Sequence, residues 1–125
     1  MPATPFRRAV EARDLDAMVA ALAEDVVFRS PVVFKAYEGR AAVGGILAAV
    51  LETLEDFRYT DALAGADVHA LLFSARVGDR DLDGIDLLRF DDAGLVRELT
   101  VMVRPLSGLS ALADAMRARL QAAGA

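Results

Sequence analysis

The stretch GIDLLRFDDAGLVRELTVMV, residues 84–103, is the clearest indication of the fold, because it holds two strand patterns joined by a tight turn. The turn is Asp91-Asp92-Ala93-Gly94, whose residue types favour a reversal of the chain. The apolar residues on both sides of it predict a strand from Leu82 to Asp91 and a second strand from Leu95 to Val103. Pro105 ends the second strand, because proline has no N–H to donate to a sheet.

The residues before this stretch predict helices first and strands later. Thr4 and Pro5 favour the start of a short helix that ends near Glu11, and Asp14 can cap a second helix. The other predicted elements are strands at 26–30, 32–37, 57–63 and 68–77, a helix at 41–55 and a last helix capped by Ser107 or Ser110. Helices followed by antiparallel strands and a final helix make an α+β layout, and 125 residues predict one domain spanning residues 1–125.

The composition excludes several classes of function. The 19 acidic residues outnumber the 14 basic ones, and the net charge of −5 argues against nucleic acid or an anionic membrane as a partner. The chain has no cysteine, which excludes disulfides and thiol chemistry. Its single histidine, His69, excludes a multi-histidine metal site within one chain. We therefore predict neither a metal nor a cofactor.

The sequence also predicts where the protein is found. The N-terminal residues lack the apolar core of a signal peptide, and no uncharged run approaches the roughly 20 apolar residues of a membrane span. We therefore expect a cytoplasmic protein. Lys35 is the only lysine among the 14 basic residues, which favours a bacterial source with a GC-rich genome.

Three stretches of the chain carry a family resemblance. They are DLDAMVAALAEDVVFRSP at 14–31, YEGRAAV at 37–43 and the strand pair at 84–103. Their order and spacing resemble the nuclear transport factor two-like superfamily, especially its ketosteroid-isomerase and SnoaL-like polyketide-cyclase branches. The resemblance implies a cone-shaped, cystatin-like fold, in which a strongly bent antiparallel sheet and helices enclose an apolar pocket. It also implies a homodimer that forms through the sheet.

The resemblance leaves most of the transferred catalytic positions vacant. The general base of the isomerase branch falls on Ser30, whose hydroxyl cannot shuttle a proton between carbons near neutral pH without an added base. The oxyanion-binding tyrosine falls on Phe6, which has no donor, and the acid/base aspartate of the cyclase branch falls on Val101. The remaining isomerase position, an aspartate, is kept as Asp86.

Asp86 is therefore the main catalytic candidate. Alternation along its strand places it on one face with Leu88 and Phe90, and the resemblance turns that face towards the pocket. A carboxyl group there would be desolvated and its pKa raised, so that it could serve as a neutral donor or as a base. The alternative is a structural aspartate, paired with Arg89, Arg104 or a backbone N–H.

His69 is the second catalytic candidate. It shares a predicted strand face with Leu71 and Phe73, and it could act as a general base paired with Asp86 or Asp61, because its ordinary pKa lies near neutrality. The alternative is a partly solvated histidine at the end of a strand.

The remaining candidates would bind a ligand. Arg104 could bind a ligand carboxylate, with a salt bridge to an acidic residue as the alternative. Tyr37 and Tyr59 could each donate to a ligand oxygen, with a place at the edge of the core as the alternative. The predicted pocket lining consists of Ser30, Leu47, Leu71, Phe73, Leu99, Val101 and Val103. A filled core without a cavity is the alternative, because protein interiors are normally close-packed.

Two functions follow from these candidates. The first is a small-molecule enzyme of the isomerase or cyclase type, which binds a small apolar molecule and uses Asp86 with His69 or water. It requires Asp86 in the cavity, within reach of His69, Tyr59 or a bound water. The second is a non-catalytic module for ligand binding or dimerisation, which the replaced positions Ser30 and Phe6 favour.

Overall fold

The computed structural model describes residues 4–122, so the first three and last three residues of the predicted domain lie outside the described residues. The described residues form four helices and one six-stranded sheet. The helices are α1 (Pro5–Glu11), α2 (Leu15–Ala20), α3 (Arg40–Thr53) and α4 (Leu106–Ala122). The strands are β1 (Leu22–Arg29), β2 (Ala36–Glu38), β3 (Glu55–Ala64), β4 (Val68–Val77), β5 (Arg80–Phe90) and β6 (Val96–Arg104). The predicted α+β class is confirmed.

The sheet has the strand order β2-β1-β6-β5-β4-β3, and it is curved and unclosed. The pairs β1–β2, β3–β4, β4–β5 and β5–β6 are antiparallel, as their short connections require, but β1 and β6 pair parallel. The prediction of an antiparallel sheet is therefore wrong for this one pair. The two strands are distant in the sequence, so no turn between them fixes their relative direction. Register shifts in β1, β3 and β5 add local bends to the curvature.

The predicted starts of α1 and α2 are confirmed by their caps. The Thr4 hydroxyl accepts a hydrogen bond from the Arg7 N–H at 3.3 Å, and the Asp14 carboxylate accepts one from the Ala17 N–H at 3.1 Å. The cap predicted for α4 is wrong, because this helix begins at Leu106, before Ser107 or Ser110.

The start of β1 was also predicted wrongly, at Val26 instead of Leu22. Leu22 has the spacing of a further α2 residue, but it pairs with Val96 of β6 and is completely buried. Tertiary pairing therefore overrides the local helical pattern at this junction.

The helices pack against one face of the sheet, which we call the inner face. Two clusters of buried side chains form the core on that face. The larger cluster includes Phe6 of α1, Val43 of α3 and Leu88 of β5, and the smaller one includes Phe73 of β4 and Leu112 of α4. Between the helices and the strands the core is not filled, and the space left there is the candidate site.

Candidate functional site

A cavity of about 550 Å³ lies between the helices and the inner face of the sheet. Most of the side chains around it are apolar, and they come from all four helices and from β1, β3, β4 and β6. The charged lining residues Glu11, Arg13, Arg58 and Arg117 are exposed, whereas Asp86 is not. Asp86 is therefore a carboxyl group set into the apolar part of the wall.

Asp86 lies on β5 between Leu71 of β4 and Val101 of β6. Its Oδ2 atom accepts a hydrogen bond of 2.8 Å from the hydroxyl of Tyr59, which comes from β3. The two residues are 27 positions apart in the sequence, and both line the cavity. Their pairing creates one polar position in this region of the wall.

Two aromatic rings, Phe57 and Phe73, support the Tyr59 ring. The Phe57 ring meets it edge-on, with a centroid separation of 5.0 Å, and stacks at a tilt on the Phe73 ring at 4.9 Å. Phe73 in turn lies over Gly84, where an added Cβ atom would be only 2.2 Å from the ring. The glycine therefore makes room on β5 for the ring that supports Tyr59.

The guanidinium group of Arg7 lies over the Tyr59 ring, 5.8 Å from its centroid. At this separation a cation is attracted to the face of the ring. The same guanidinium approaches the Glu11 carboxylate at 3.5 Å, but its buried Nε atom makes no hydrogen bond. Residues of α1 thus add an ionic pair beside Tyr59, at the edge of the cavity.

Burial controls the protonation of the polar pair. Desolvation raises the pKa of Asp86 to about 6, although the hydrogen bond from Tyr59 acts in the opposite direction. Desolvation is also the largest cause that raises the pKa of Tyr59, and the neighbouring Asp86 carboxylate adds to it. Tyr59 therefore remains a donor near neutral pH, while Asp86 changes its charge close to neutrality.

Most of the predicted lining residues are brought together in the cavity. The cavity lining includes, beside Asp86 and Tyr59, the predicted residues Ser30, Leu47, Phe73, Leu99, Val101 and Val103. Leu71 is 1% exposed and belongs to the core cluster behind the wall. The Ser30 hydroxyl accepts a hydrogen bond from the Val32 N–H at 3.0 Å, so it stabilises the turn after β1.

Two predicted residues lie away from this cavity. His69 lines a separate, more open pocket beside Asp67 and Arg97, and its ring packs edge-on against Phe90 at 4.9 Å. Arg104 lies on the outer face of the sheet and forms a salt bridge of 3.0 Å with Asp83, which was the alternative predicted for it. The structure therefore does not bring His69 to Asp86, and it leaves Tyr59 as the partner of the carboxyl group.

Sequence reasoning named Tyr59 as one of three possible partners of Asp86, beside His69 and water, but it missed the part played by Arg7. A signal for Arg7 was present, because it follows Phe6, which the resemblance places at a catalytic position on α1. Sequence reasoning could not single out Tyr59, since β3 shifts register twice against β4 on either side of it. Simple alternation cannot be extended across such shifts.

Comparison with known proteins agrees with this fold. The family described as SnoaL-like domain matches residues 3–99. The chain belongs to the SnoaL-like domain family. No curated protein matches its sequence. Within residues 4–122, no helix is long and apolar enough to cross a membrane.

Several solved structures are similar to this SnoaL-like chain. A steroid delta-isomerase from Pseudomonas aeruginosa is 46% identical, with a TM-score of 0.90, and the match covers 94% of this chain and 87% of that one. An uncharacterised bacterial protein with a cystatin-like fold from Silicibacter pomeroyi is 34% identical, with a TM-score of 0.89 and coverages of 94% and 83%. A putative SnoaL-like polyketide cyclase from Shewanella denitrificans is 14% identical, with a TM-score of 0.67 and coverages of 91% and 93%, and shares the fold.

Proposed function

We propose that this protein binds a small, mainly apolar molecule through one oxygen atom at Tyr59 and Asp86, and that Asp86 moves a proton on that molecule. The observation that carries the proposal is the hydrogen-bonded pair of Tyr59 and Asp86 in an otherwise apolar part of the cavity wall. A site of this kind selects an apolar body by its walls and one oxygen by its polar position.

The chemistry fits an isomerase or a cyclase, because both begin with loss of a proton from a carbon next to a carbonyl group. The Asp86 carboxylate takes the proton, and the electrons of the broken C–H bond form an enolate. Tyr59 then donates its hydrogen bond to the enolate oxygen, because the protonated carboxyl group attracts it less strongly. In a β,γ-unsaturated ketone the enolate is conjugated with the C=C bond, and Asp86 returns the proton to the γ-carbon, which moves the double bond next to the carbonyl group. In a cyclase the enolate carbon attacks a second carbonyl carbon and closes a ring, and the oxygen of that carbonyl group takes the proton from Asp86.

The pKa of Asp86 suits this role. A general base works best when its pKa lies near the working pH, and burial brings this carboxyl group to about 6. The similarity to a steroid delta-isomerase supports the same class of reaction. The aspartate expected at the base position of that class is Ser30 here, so Asp86 takes the role of base in this proposal.

The reaction is tested by hydrogen exchange at carbon. A bicyclic ketone such as 1-tetralone, incubated in deuterated water, gains deuterium next to its carbonyl group when a base removes protons there. We expect the wild-type protein to accelerate this exchange, with a rate that rises as the pH passes about 6. Asp86→Asn should lower the rate about 100-fold or more, the usual loss when a general base is removed. Asp83→Asn is the matched control, because Asp83 lies on the outer face of the same strand.

A second candidate function is ligand binding without catalysis. It is favoured by Ser30, whose hydroxyl is engaged in a turn, and by Phe6, which is buried and has no donor. Binding of 4-phenylphenol, followed by its fluorescence, separates the two functions. Binding that depends on Asp86 and Tyr59, without deuterium exchange in the wild type, supports the binding module. An affinity that is the same in Asp86→Asn and Tyr59→Phe contradicts both functions.

A further inference from the structure

We propose that the hydroxyl of Tyr37 is a second oxygen-binding position in the same cavity, so that the ligand carries an oxygen function at each end of a rigid apolar body. This inference rests on the proposed function, since it takes the pair of Tyr59 and Asp86 as the first oxygen-binding position. It names the class of ligand, which is a molecule of two or more rings with a hydroxyl or carbonyl group at either end.

Tyr37 is one of the side chains that line the cavity. It lies on β2 opposite Phe28 of β1, whose ring centroid is 6.5 Å away, and it lines the cavity from the inner face. Its hydroxyl makes no hydrogen bond to any of the residues 4–122. The hydroxyl oxygen is also not buried by these residues, so a ligand can approach it. A tyrosine hydroxyl beside an apolar core normally has a partner, and here a ligand oxygen can supply it.

The sheet places the two polar positions at a useful separation. Strands β2 and β5 are three places apart in the order β2-β1-β6-β5, a span of about 14 Å between backbones. The registers put Tyr37 in one row with Phe28, Leu99 and Leu88, and Asp86 follows two residues before Leu88 on β5. With this offset the two backbone positions are about 16 Å apart along the sheet, and because the sheet curves and both side chains line the cavity, the ligand oxygens would lie closer together than this.

The wall between these positions is apolar, and the lining residues that precede Tyr37 in the sequence carry no charge. Phe28, Leu99 and Val101 cover the inner face from β1 to β6. The lining closest to Tyr37 in the chain consists of Val32 and Val33, which carry no charge. A neutral donor of this kind fits a hydroxyl or carbonyl oxygen, whereas a carboxylate would need a cation to balance its charge.

A matched pair of ligands isolates the contribution of Tyr37. 4-Phenylphenol and 4,4′-biphenol have the same apolar body and differ by one hydroxyl group at the far end. In the wild type, biphenol should bind more tightly than phenylphenol for two reasons. Its two equivalent ends let it bind in two orientations, which gives a factor of two. The hydrogen bond to Tyr37 should give a further threefold to tenfold gain in affinity. In Tyr37→Phe, which removes only one oxygen atom, the advantage should fall to the twofold symmetry factor, while phenylphenol binds as in the wild type.

The same titrations overturn the inference if the advantage of biphenol is equal in the wild type and in Tyr37→Phe. It is also overturned if Tyr37→Phe weakens both ligands equally, because Tyr37 would then only shape the cavity. The failure of the proposed function gives a different result, namely binding of phenylphenol that does not change in Asp86→Asn. The two proposals can therefore fail separately.

Discussion

At the scale of a single residue, Asp86 makes the stability of the fold depend on pH. Its pKa is raised to about 6 in the folded protein, compared with an ordinary value of about 3.9 in the unfolded chain. Well below about pH 4 the carboxyl group is protonated in both states, so it does not change the free energy of unfolding. As the pH rises towards 6, the unfolded chain releases the proton first, so the folded state loses stability by at most about 3 kcal/mol.

We therefore expect Asp86→Asn to raise the free energy of unfolding at about pH 8 and not at about pH 4. The asparagine carbonyl can still accept the hydrogen bond from Tyr59 and carries no charge to desolvate. Urea unfolding of the two proteins across this range should show a difference that grows by about 2 to 3 kcal/mol with rising pH. Asp83→Asn, on the outer face of β5, should show no such growth. A difference for Asp86→Asn that is constant with pH would contradict the raised pKa.

Asp86 also shows how far single residues could be predicted from the sequence. Alternation along its strand placed it on the inner face, because the turns at both ends of β5 fix the pairing register. The same reasoning placed His69 on the inner face beside Leu71, but the structure puts it in the second pocket beside Phe90. A face can be predicted from alternation, whereas the position along a curved strand depends on tertiary packing.

At the scale of the elements, the hairpins of the sheet were predicted better than its helix-to-strand junctions. The bounds of β4, Val68–Val77, are those that the sequence predicts, because turn residues mark both ends. The junction of α2 and β1 has no such marker, and Leu22 fits either element by its spacing. The parallel pairing of β1 with β6 could not be predicted from local sequence, since it joins the two ends of the sheet-forming segment.

Gly84 gives a test of how β5 and β4 support the site. An added Cβ atom would lie 2.2 Å from the Phe73 ring and 2.7 Å from the Met102 carbonyl oxygen. We expect Gly84→Ala to lower the free energy of unfolding by about 1 to 3 kcal/mol, as overpacking usually does. Because the displaced Phe73 ring lines the cavity, the affinity for 4-phenylphenol should fall as well. Unfolding and binding titrations measure the two effects.

Gly45 of α3 is the matched control for this substitution. It lies in a helix, and an added Cβ atom would meet nothing within 4 Å. Gly45→Ala should therefore raise the free energy of unfolding by about 0.5 to 1 kcal/mol, because alanine loses less backbone entropy than glycine in a helix. A Gly84→Ala variant as stable as Gly45→Ala would contradict the close contact between the Phe73 ring and Gly84 of β5.

At the scale of the whole molecule, a curved sheet with helices on one face leaves a cavity that a close-packed core would lack. The resemblance to the nuclear transport factor two-like superfamily predicted this cavity and most of its lining. Of the catalytic positions that the resemblance implies, only Asp86 keeps its polar group, because the others are Ser30, Phe6 and Val101 in this chain. The chemistry of the cavity therefore had to be read from the contacts of Tyr59, Asp86 and Tyr37.

The outer face of the sheet bears on the assembly of the molecule. Ile85 and Leu87 are half-buried on that face, and Met102 is 52% exposed beside them. An apolar surface of this kind is compatible with a second copy of the chain. The homodimer through the sheet stays a prediction.

The most direct test of the proposed binding site is a crystal structure of the protein with 4-phenylphenol bound. We expect the phenol oxygen within hydrogen-bonding distance of Tyr59 and Asp86, and the second ring against the apolar wall towards Tyr37. A cavity that is filled by side chains in the crystal, or a ligand whose oxygen avoids the carboxyl group of Asp86, would contradict it.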